Sequence, residues 1–463
     1  MSGLRARGDT EALTYISNTE SDRREMLAAI GVSSFSELLG PLPVAIRLQQ
    51  ELRLPPQLDE MALMRHLTSL SQMNSDLESN LCFLGAGIYD HFRPAVINAL
   101  LSRGEFATSY TPYQPEVSQG TLQAIYEYQT LICALTGMDI ANASMYDAAT
   151  ALAEAALMAC RLQDRSTVVV SRSVHPHYRE VIATYLNATG LRLVEVDCQE
   201  NGDPVLELRL AMNDQTACVI VQQPGFLGTV EDLQTTVNGA HEVGALAVVS
   251  VDPISLGLLK PPGEYGVDIV VGEGQSLGSA MGFGGPLLGF FACKKRYVRS
   301  FPGRIVGATS DQEGRRGYTM TLRTREQDIR RERATSNICT NQALVALAAA
   351  IYLCELGKSG LRQVADLSLQ KARYAHNRLL ELPNVSPAFA DRPFFKEFVL
   401  RLPVDPEKVN KALLEYKIIG GLPVERYYTD LTNAMLVCVT ETKTKADIDY
   451  FVESLGSVLQ TLQ

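Results

Sequence analysis

The feature that most constrains the fold is a series of short apolar segments that alternate with helical patterns between residues 166 and 295. These segments are apolar on consecutive residues rather than on every second residue. Such runs are typical of parallel strands buried between two layers of helices. The sequence therefore predicts a large α/β domain with a mostly parallel sheet. Six strands are predicted, at residues 167–171, 191–197, 217–222, 246–252, 268–271 and 287–292.

Different patterns flank this region. Residues 1–80 carry helical patterns, with capping-box sequences at residues 19–22 and 34–37. Long helices are predicted after residue 335, followed by a strand–helix–strand–helix unit that ends the chain. We therefore expect three parts. They are an N-terminal helical extension at 1–80, a large α/β domain at 81–335, and a helical linker with a small α+β domain at 336–463. This layout resembles fold type I of the pyridoxal-phosphate (PLP) enzymes, the aspartate-aminotransferase-like fold, an analogy that does not by itself give function.

Charge and composition narrow the class of protein. The formal net charge is −10, and an acidic chain is a poor ligand for nucleic acid, whose phosphates bind clustered cations. The longest apolar helical stretch, residues 343–354, is too short to cross a bilayer, and the first residues lack the apolar run of a secretory signal. Nine scattered cysteines without a CxxC pair predict neither a disulfide framework nor a metal site. We expect a cytoplasmic protein without nucleic-acid or membrane partners.

A PLP site needs a carboxylate facing the pyridinium nitrogen and a helix N-terminus holding the phosphate. Asp252 ends a predicted strand, where ligands bind in parallel sheets, so it is the candidate carboxylate. The alternative is a turn residue before Pro253. The segment 144–150, which precedes an alanine-rich helix, is the candidate phosphate site, and the alternative there is an ordinary capped helix.

A PLP enzyme also needs a lysine that forms a Schiff base. The expected position follows the predicted strand 268–271, where the sequence reads Gly-Glu-Gly-Gln-Ser-Leu-Gly instead. Lys260 precedes that strand, and Lys294 and Lys295 follow one strand later. The usual Schiff base with PLP therefore has no lysine to form on at this position. A self-sufficient enzyme that uses Lys260 is the competing hypothesis.

Eight segments together carry a specific resemblance, and they span almost the whole chain. The sequence closely resembles the alpha-subunit (subunit 1) family of bacterial glycine dehydrogenase, the P-protein of the glycine cleavage system. The matching segments are residues 15–26, 83–90, 110–115, 118–123, 252–257, 272–276, 324–327 and 334–342.

The resemblance implies a specific division of labour. In this family an alpha chain pairs with a beta chain of the same fold, with two of each as the family expectation, and the beta chain carries the PLP lysine. The alpha chain lacks it, with Ser276 near the corresponding position. The implied reaction decarboxylates glycine, releases CO2 and passes the aminomethyl group to the lipoyl arm of H-protein. Asp252 would then be a vestigial PLP position, and Ala148, where the family has glycine, makes close approach of an anion less favourable.

The resemblance also implies residues that reach the partner's site. Tyr110, Tyr113 and Gln114 lie in a proline-framed loop and would line that site; the alternative is tyrosines packed at a turn. A second segment would contact the partner's cofactor phosphate through Gly282, Gly284 and Gly285, although hairpins use the same residues.

Two further features have weaker interpretations. The stretch 314–333 has seven arginines against three acidic residues. It is either a solvated face or a docking surface for an acidic carrier protein. His175 and His177 are interpreted as residues of a loop and a helix start rather than as ligands.

Overall fold

The computed structural model describes residues 18–48, 50, 53–197 and 204–462. Residues 1–17 of the predicted extension and Cys198 lie outside this range. The chain divides into two compact units, Met1–Asn74 and Ser75–Gln463. The described part of the first unit holds α1 (Glu20–Ile30), α2 (Phe35–Leu38) and α3 (Glu60–Ser71).

One of the two predicted capping boxes in this unit is present. The Thr19 side chain accepts the Asp22 N–H at 3.2 Å, and the Asp22 carboxylate accepts the Thr19 N–H at 2.7 Å. The prediction at residues 34–37 is wrong, because the Ser34 side chain makes no cap hydrogen bond. Glu37 accepts instead from the hydroxyls of Ser33 and Ser34.

The apolar segments of the second unit pair as neighbours in one seven-stranded sheet. Strands β2 to β6 are parallel, whereas β7 runs antiparallel to both β6 and β1. The order across the sheet is β1-β7-β6-β5-β4-β2-β3, so the predicted mostly parallel sheet is confirmed. The strands are β1 (Ile140–Ala141), β2 (Thr167–Ser171), β3 (Arg192–Val196), β4 (Thr216–Gln223), β5 (Leu246–Val251), β6 (Ile269–Glu273) and β7 (Gly289–Cys293).

Helices cover both faces of this sheet, which is why its strands are apolar on consecutive residues. Val168 and Val170 of β2 face one core, and Val169 between them faces the other. The helices of this unit are α4 (Ala95–Leu101), α5 (Gly104–Ala107), α6 (Gln119–Thr136), α7 (Ala148–Gln163), α8 (Pro176–Thr189), α9 (Pro204–Ala211), α10 (Leu233–Glu242), α11 (Gln327–Arg330), α12 (Ala343–Leu379), α13 (Pro406–Leu413) and α14 (Lys445–Leu462).

The chain ends in a small α+β layer. Its antiparallel sheet has the order β10-β11-β13-β12, and α13 and α14 pack on it. The predicted strand–helix–strand–helix unit is therefore found. A hairpin that the sequence did not predict lies before it. The hairpin strands are β8 (Ile305–Ser310) and β9 (Arg316–Thr321), and the small sheet has β10 (Ser386–Pro387), β11 (Glu397–Arg401), β12 (Leu422–Pro423) and β13 (Ala434–Cys438). A separate short parallel pair joins Leu81–Cys82 to Ile418–Ile419.

Helix α12 connects the two layers. It is far longer than the predicted apolar stretch at 343–354. By length and composition alone it could cross a membrane, so the prediction that this stretch is too short to do so is wrong. Its backbone is non-helical at Gly357. Ala349 and Leu353 pack into a core of the large sheet, and Ala372 packs into the core of the small one. Such burial is typical of a core helix that holds two domains together.

Candidate functional site

The carboxyl edge of the large sheet meets the start of the small sheet at a buried ion pair. Asp252 directly follows β5, and Lys396 directly precedes β11. The Lys396 ammonium lies 2.8 Å from the Asp252 carboxylate, with side-chain exposures of 2% and 9%. The candidate PLP carboxylate is therefore already paired with a cation from this chain.

The Lys396 ammonium has a partner for each of its three N–H groups. One donates to Asp252, a second to His91 Nε2 at 3.0 Å, and the third faces the Tyr89 ring, whose centroid is 3.5 Å from Nζ. Because Nε2 of His91 accepts, its proton is on Nδ1, which donates to Glu441 at 2.6 Å. Burial and the nearby ammonium lower the pKa of His91, in agreement with this neutral tautomer.

A second carboxylate lies beside the pair. Glu397 accepts the Ala86 N–H at 2.6 Å and the Tyr89 hydroxyl at 2.8 Å. Burial raises the pKa of Glu397 to about 7. These bonds hold the segment 83–90, one of the segments that carries the family resemblance, between the two sheets.

A buried carboxyl group of the chain itself lies at the N-terminus of α7. Glu273, the last residue of β6, accepts the Ala148 N–H at 3.2 Å, the Gln275 N–H at 3.1 Å and the Leu288 N–H at 2.8 Å. Burial raises the pKa of Glu273 to about 7. Asp147 caps the same helix by accepting the Thr150 N–H at 2.7 Å. The candidate phosphate site is thus a capped helix whose Ala148 and Thr150 N–H groups are bonded to the chain's own carboxylates.

The residues that directly follow β6, where the Schiff-base lysine is expected, include no lysine. Ser276 is 2% exposed, and its hydroxyl contacts no hydrogen-bond partner among the described atoms. Lys260 is exposed, with its ammonium 4.4 Å from the centre of the Tyr265 ring. Lys294 pairs with Asp268 at 2.7 Å. The lysine at Asp252 is instead Lys396, which the sequence did not single out.

These residues do not fit PLP bound in this chain. The pyridinium nitrogen needs a carboxylate without another cation, and the phosphate needs free N–H donors. Asp252 is bonded to Lys396, and the Ala148 N–H is bonded to Glu273. In the part of the chain that is described, His, Cys, Asp and Glu side chains form no group of three or more that could hold a metal ion.

The predicted loop residues lie at the surface. Tyr110 is 82% exposed, and Gln114 is also exposed. The Tyr113 hydroxyl accepts a hydrogen bond from buried Arg304 at 3.1 Å, and the Arg323 guanidinium lies 4.8 Å from the Tyr113 ring centroid. Two arginines therefore contact Tyr113 within this chain. The contact of the loop with a partner's site stays a prediction.

The glycine-rich turn projects from the large domain. Gly282 and Gly284 have φ angles of 47° and 98°, and a β-carbon on either one would meet nothing within 4 Å. Phe283 between them is 88% exposed, and Gly285 follows. Bare backbone and an exposed ring suit contact with another chain, and that contact also stays a prediction.

The two weaker features have local explanations. His175 caps α8 and stacks on Tyr178, with ring centroids 4.4 Å apart, and burial lowers its pKa to about 4. His177 lies 3.1 Å from the Tyr427 hydroxyl. Of the arginines in 314–333, Arg315 pairs with Asp311 and Arg323 with Asp328. A docking role for that stretch stays a prediction.

The chain is similar to proteins of one known family. The family model described as the glycine cleavage system P-protein matches residues 13–455. A probable glycine dehydrogenase (decarboxylating) subunit 1 from Desulfitobacterium hafniense is 51% identical over 96% of this chain and 100% of its own length. The corresponding relative from Thermomicrobium roseum is also 51% identical, over 96% of this chain and 99% of its own.

Solved structures agree with these relatives. The crystal structure of an inhibitor-bound glycine decarboxylase (P-protein) of the glycine cleavage system superposes with a TM-score of 0.86 and 47% identity. The match covers 96% of this chain and 99% of that one. A sphingosine-1-phosphate lyase from Burkholderia pseudomallei gives a TM-score of 0.63 at 15% identity over 90% and 94% of the two chains. That second likeness shows the fold alone, which is fold type I of the PLP enzymes.

Proposed function

Because the chain belongs to the glycine cleavage system P-protein family, we propose that it is the subunit of glycine decarboxylase that works without a Schiff-base lysine of its own. It is inactive alone and completes an active complex with a beta chain of the same fold. The name subunit 1, which its relatives carry, implies a second subunit.

One observation carries this proposal. The position that would face the cofactor nitrogen is held by the buried Lys396–Asp252 pair. A buried ion pair with all its donors satisfied costs several kcal/mol to open, so PLP does not compete for Asp252. The chain therefore depends on another subunit for its cofactor, which the beta chain binds covalently.

The complex has the following activity. Glycine loses its carboxyl group as CO2, and the aminomethyl group passes to the oxidised lipoyl arm of H-protein. PLP, bound by the beta chain, would supply the electron sink that this decarboxylation needs. Two alpha and two beta chains form the assembly, which acts in the cytoplasm.

This chain contributes binding groups rather than a nucleophile. Tyr110, Tyr113 and Gln114 line the partner's site, where a phenol or an amide can hydrogen-bond the glycine carboxylate. Arg304 supports this role because it is buried and it donates to the Tyr113 hydroxyl. The backbone of the 282–285 turn contacts the cofactor phosphate across the interface.

The proposal is tested by exchange of the glycine carboxyl carbon with labelled CO2 in the presence of PLP and H-protein. We expect no exchange with the purified chain and full exchange after the beta chain is added. Turnover by the purified chain, shown by mass spectrometry to be free of beta chain, contradicts the proposal.

A further inference from the structure

The described part of the first unit, residues 18–48, 50 and 53–74, has helices with no apolar core of their own. None of the residues of α1, α2 or α3 is buried. Fifteen of the thirty-three large hydrophobic side chains that are exposed in the described part of the chain lie here, each between 43% and 82% exposed. They are Met26, Ile30, Phe35, Leu42, Val44, Ile46, Leu48, Leu54, Leu58, Met61, Leu63, Met64, Leu67, Leu70 and Met73.

Helix α3 shows how this surface is organised. Leu63, Leu67 and Leu70 are spaced four and three residues apart, so they lie along one side of the helix. The side away from these leucines carries Arg65, Thr68 and Ser69, together with Met61. An amphipathic helix with an exposed apolar side is stable only where that side packs against another surface.

The exposed area is of the size that a stable interface needs. A fully exposed aliphatic side chain offers roughly 100 Å² of apolar surface, so fifteen such side chains, a little over half exposed, offer roughly 800–900 Å². One partner contributes about 800 Å² to an interface of standard size, and obligate interfaces are the larger and more apolar ones. Isolated soluble proteins rarely leave that much apolar surface uncovered.

We propose that the described part of the first unit forms a docking arm whose apolar side packs on the beta subunit and holds the two chains together. The inference rests on the proposed function, because the beta subunit is the second chain that this function requires. The beta subunit is favoured over a second copy of this chain for a chemical reason. With Asp252 bonded to Lys396, only a different chain adds a working cofactor site, so the permanent apolar contact belongs with that chain.

Two matched variants of α3 test the arm in full-length chains. Leu63→Asp with Leu67→Asp places two charges on the apolar side, and Ser69→Asp places one on the side away from the leucines. Each variant chain and the beta subunit of the same organism are purified separately. Their affinity is then measured by titration. We expect the double variant to bind the beta subunit at least about 100-fold more weakly and Ser69→Asp to bind it as the parent does.

Three other results overturn the inference, and a fourth concerns the proposed function. If the double variant binds the beta subunit normally, and only the melting temperature of the isolated chain falls, the apolar side is covered within this chain. If only self-association of the isolated chain is lost, the occupant is a second copy. If nothing changes, the apolar side has no occupant. If the parent chain itself does not bind the beta subunit, the proposed function fails before the arm is tested.

Discussion

The substitution Lys396→Met probes the buried ion pair between Lys396 and Asp252. Methionine keeps much of the length of the side chain and removes only the ammonium. Within the described chain, the Asp252 carboxylate then keeps the hydrogen bond from the Ile254 N–H at 3.1 Å and loses its cation. His91 Nε2 loses its donor. Removing one member of a buried ion pair costs about 3–5 kcal/mol.

This energy predicts a measurable change in melting temperature. Unfolding entropy is about 2.1 cal/mol/K per residue, and the second unit runs from Ser75 to Gln463. A loss of 3–5 kcal/mol therefore corresponds to a fall of roughly 4–6 °C in scanning calorimetry. The matched control is Lys260→Met, because Lys260 is exposed and surface substitutions stay within about 0.5 kcal/mol.

A double variant separates the ion pair from simple loss of packing. Lys396→Met with Asp252→Asn removes both charges, and we expect it to recover most of the lost stability, because no uncompensated charge stays buried. If Lys396→Met melts within 1 °C of the Lys260→Met control, the pair does not hold the two domains together and the reasoning is refuted.

Three further predictions concern the rest of the site. The raised pKa of Glu273, about 7, means that the folded state binds its proton more tightly than the unfolded state, so stability is lost as pH rises from about 4.5 through 7, by up to about 3 kcal/mol. Glu273→Gln cannot ionise, so its melting temperature relative to the parent should rise between pH 5 and pH 8; a constant difference contradicts the raised pKa. In the assembled complex, Tyr113→Phe and Gln114→Ala should each lower kcat/KM roughly 10- to 150-fold with normal assembly, and values within twofold of the parent would make the loop structural. Gly284→Ala should weaken PLP binding by the complex roughly 10-fold, whereas Gly314→Ala, at a similarly open position with a φ of 79°, should not; equal effects would exclude a phosphate contact.

Much of the large domain could be predicted because its strands are continuous apolar runs. Strands such as β2 and β5 are buried along their whole length, and that burial leaves a direct signal in the sequence. The hairpin of β8 and β9 left no such signal, because half of β8 is exposed. The Ser34–Glu37 capping box failed because its short-range pattern is compatible with other local hydrogen bonds.

The site was only partly predictable because its contacts join residues far apart in sequence. Asp252 and the missing lysine could be located from strand order alone. Lys396 could not, since it reaches Asp252 from the small domain. A sequence signal did exist. Lys396 and Glu397 form a charged pair at the start of an otherwise apolar strand, and charges there require buried partners. Which partners they find depends on how the two domains meet.

We expect this chain to hold no covalent cofactor, whereas its complex with the beta chain holds one. The most direct measurement is borohydride reduction of the reconstituted complex with PLP, which fixes the cofactor to the lysine that holds it, followed by peptide mapping of both chains. We expect one phosphopyridoxyl-lysine per pair of chains, on the beta chain, and none on this one. A phosphopyridoxyl group on Lys396 or Lys260 of this chain would contradict it.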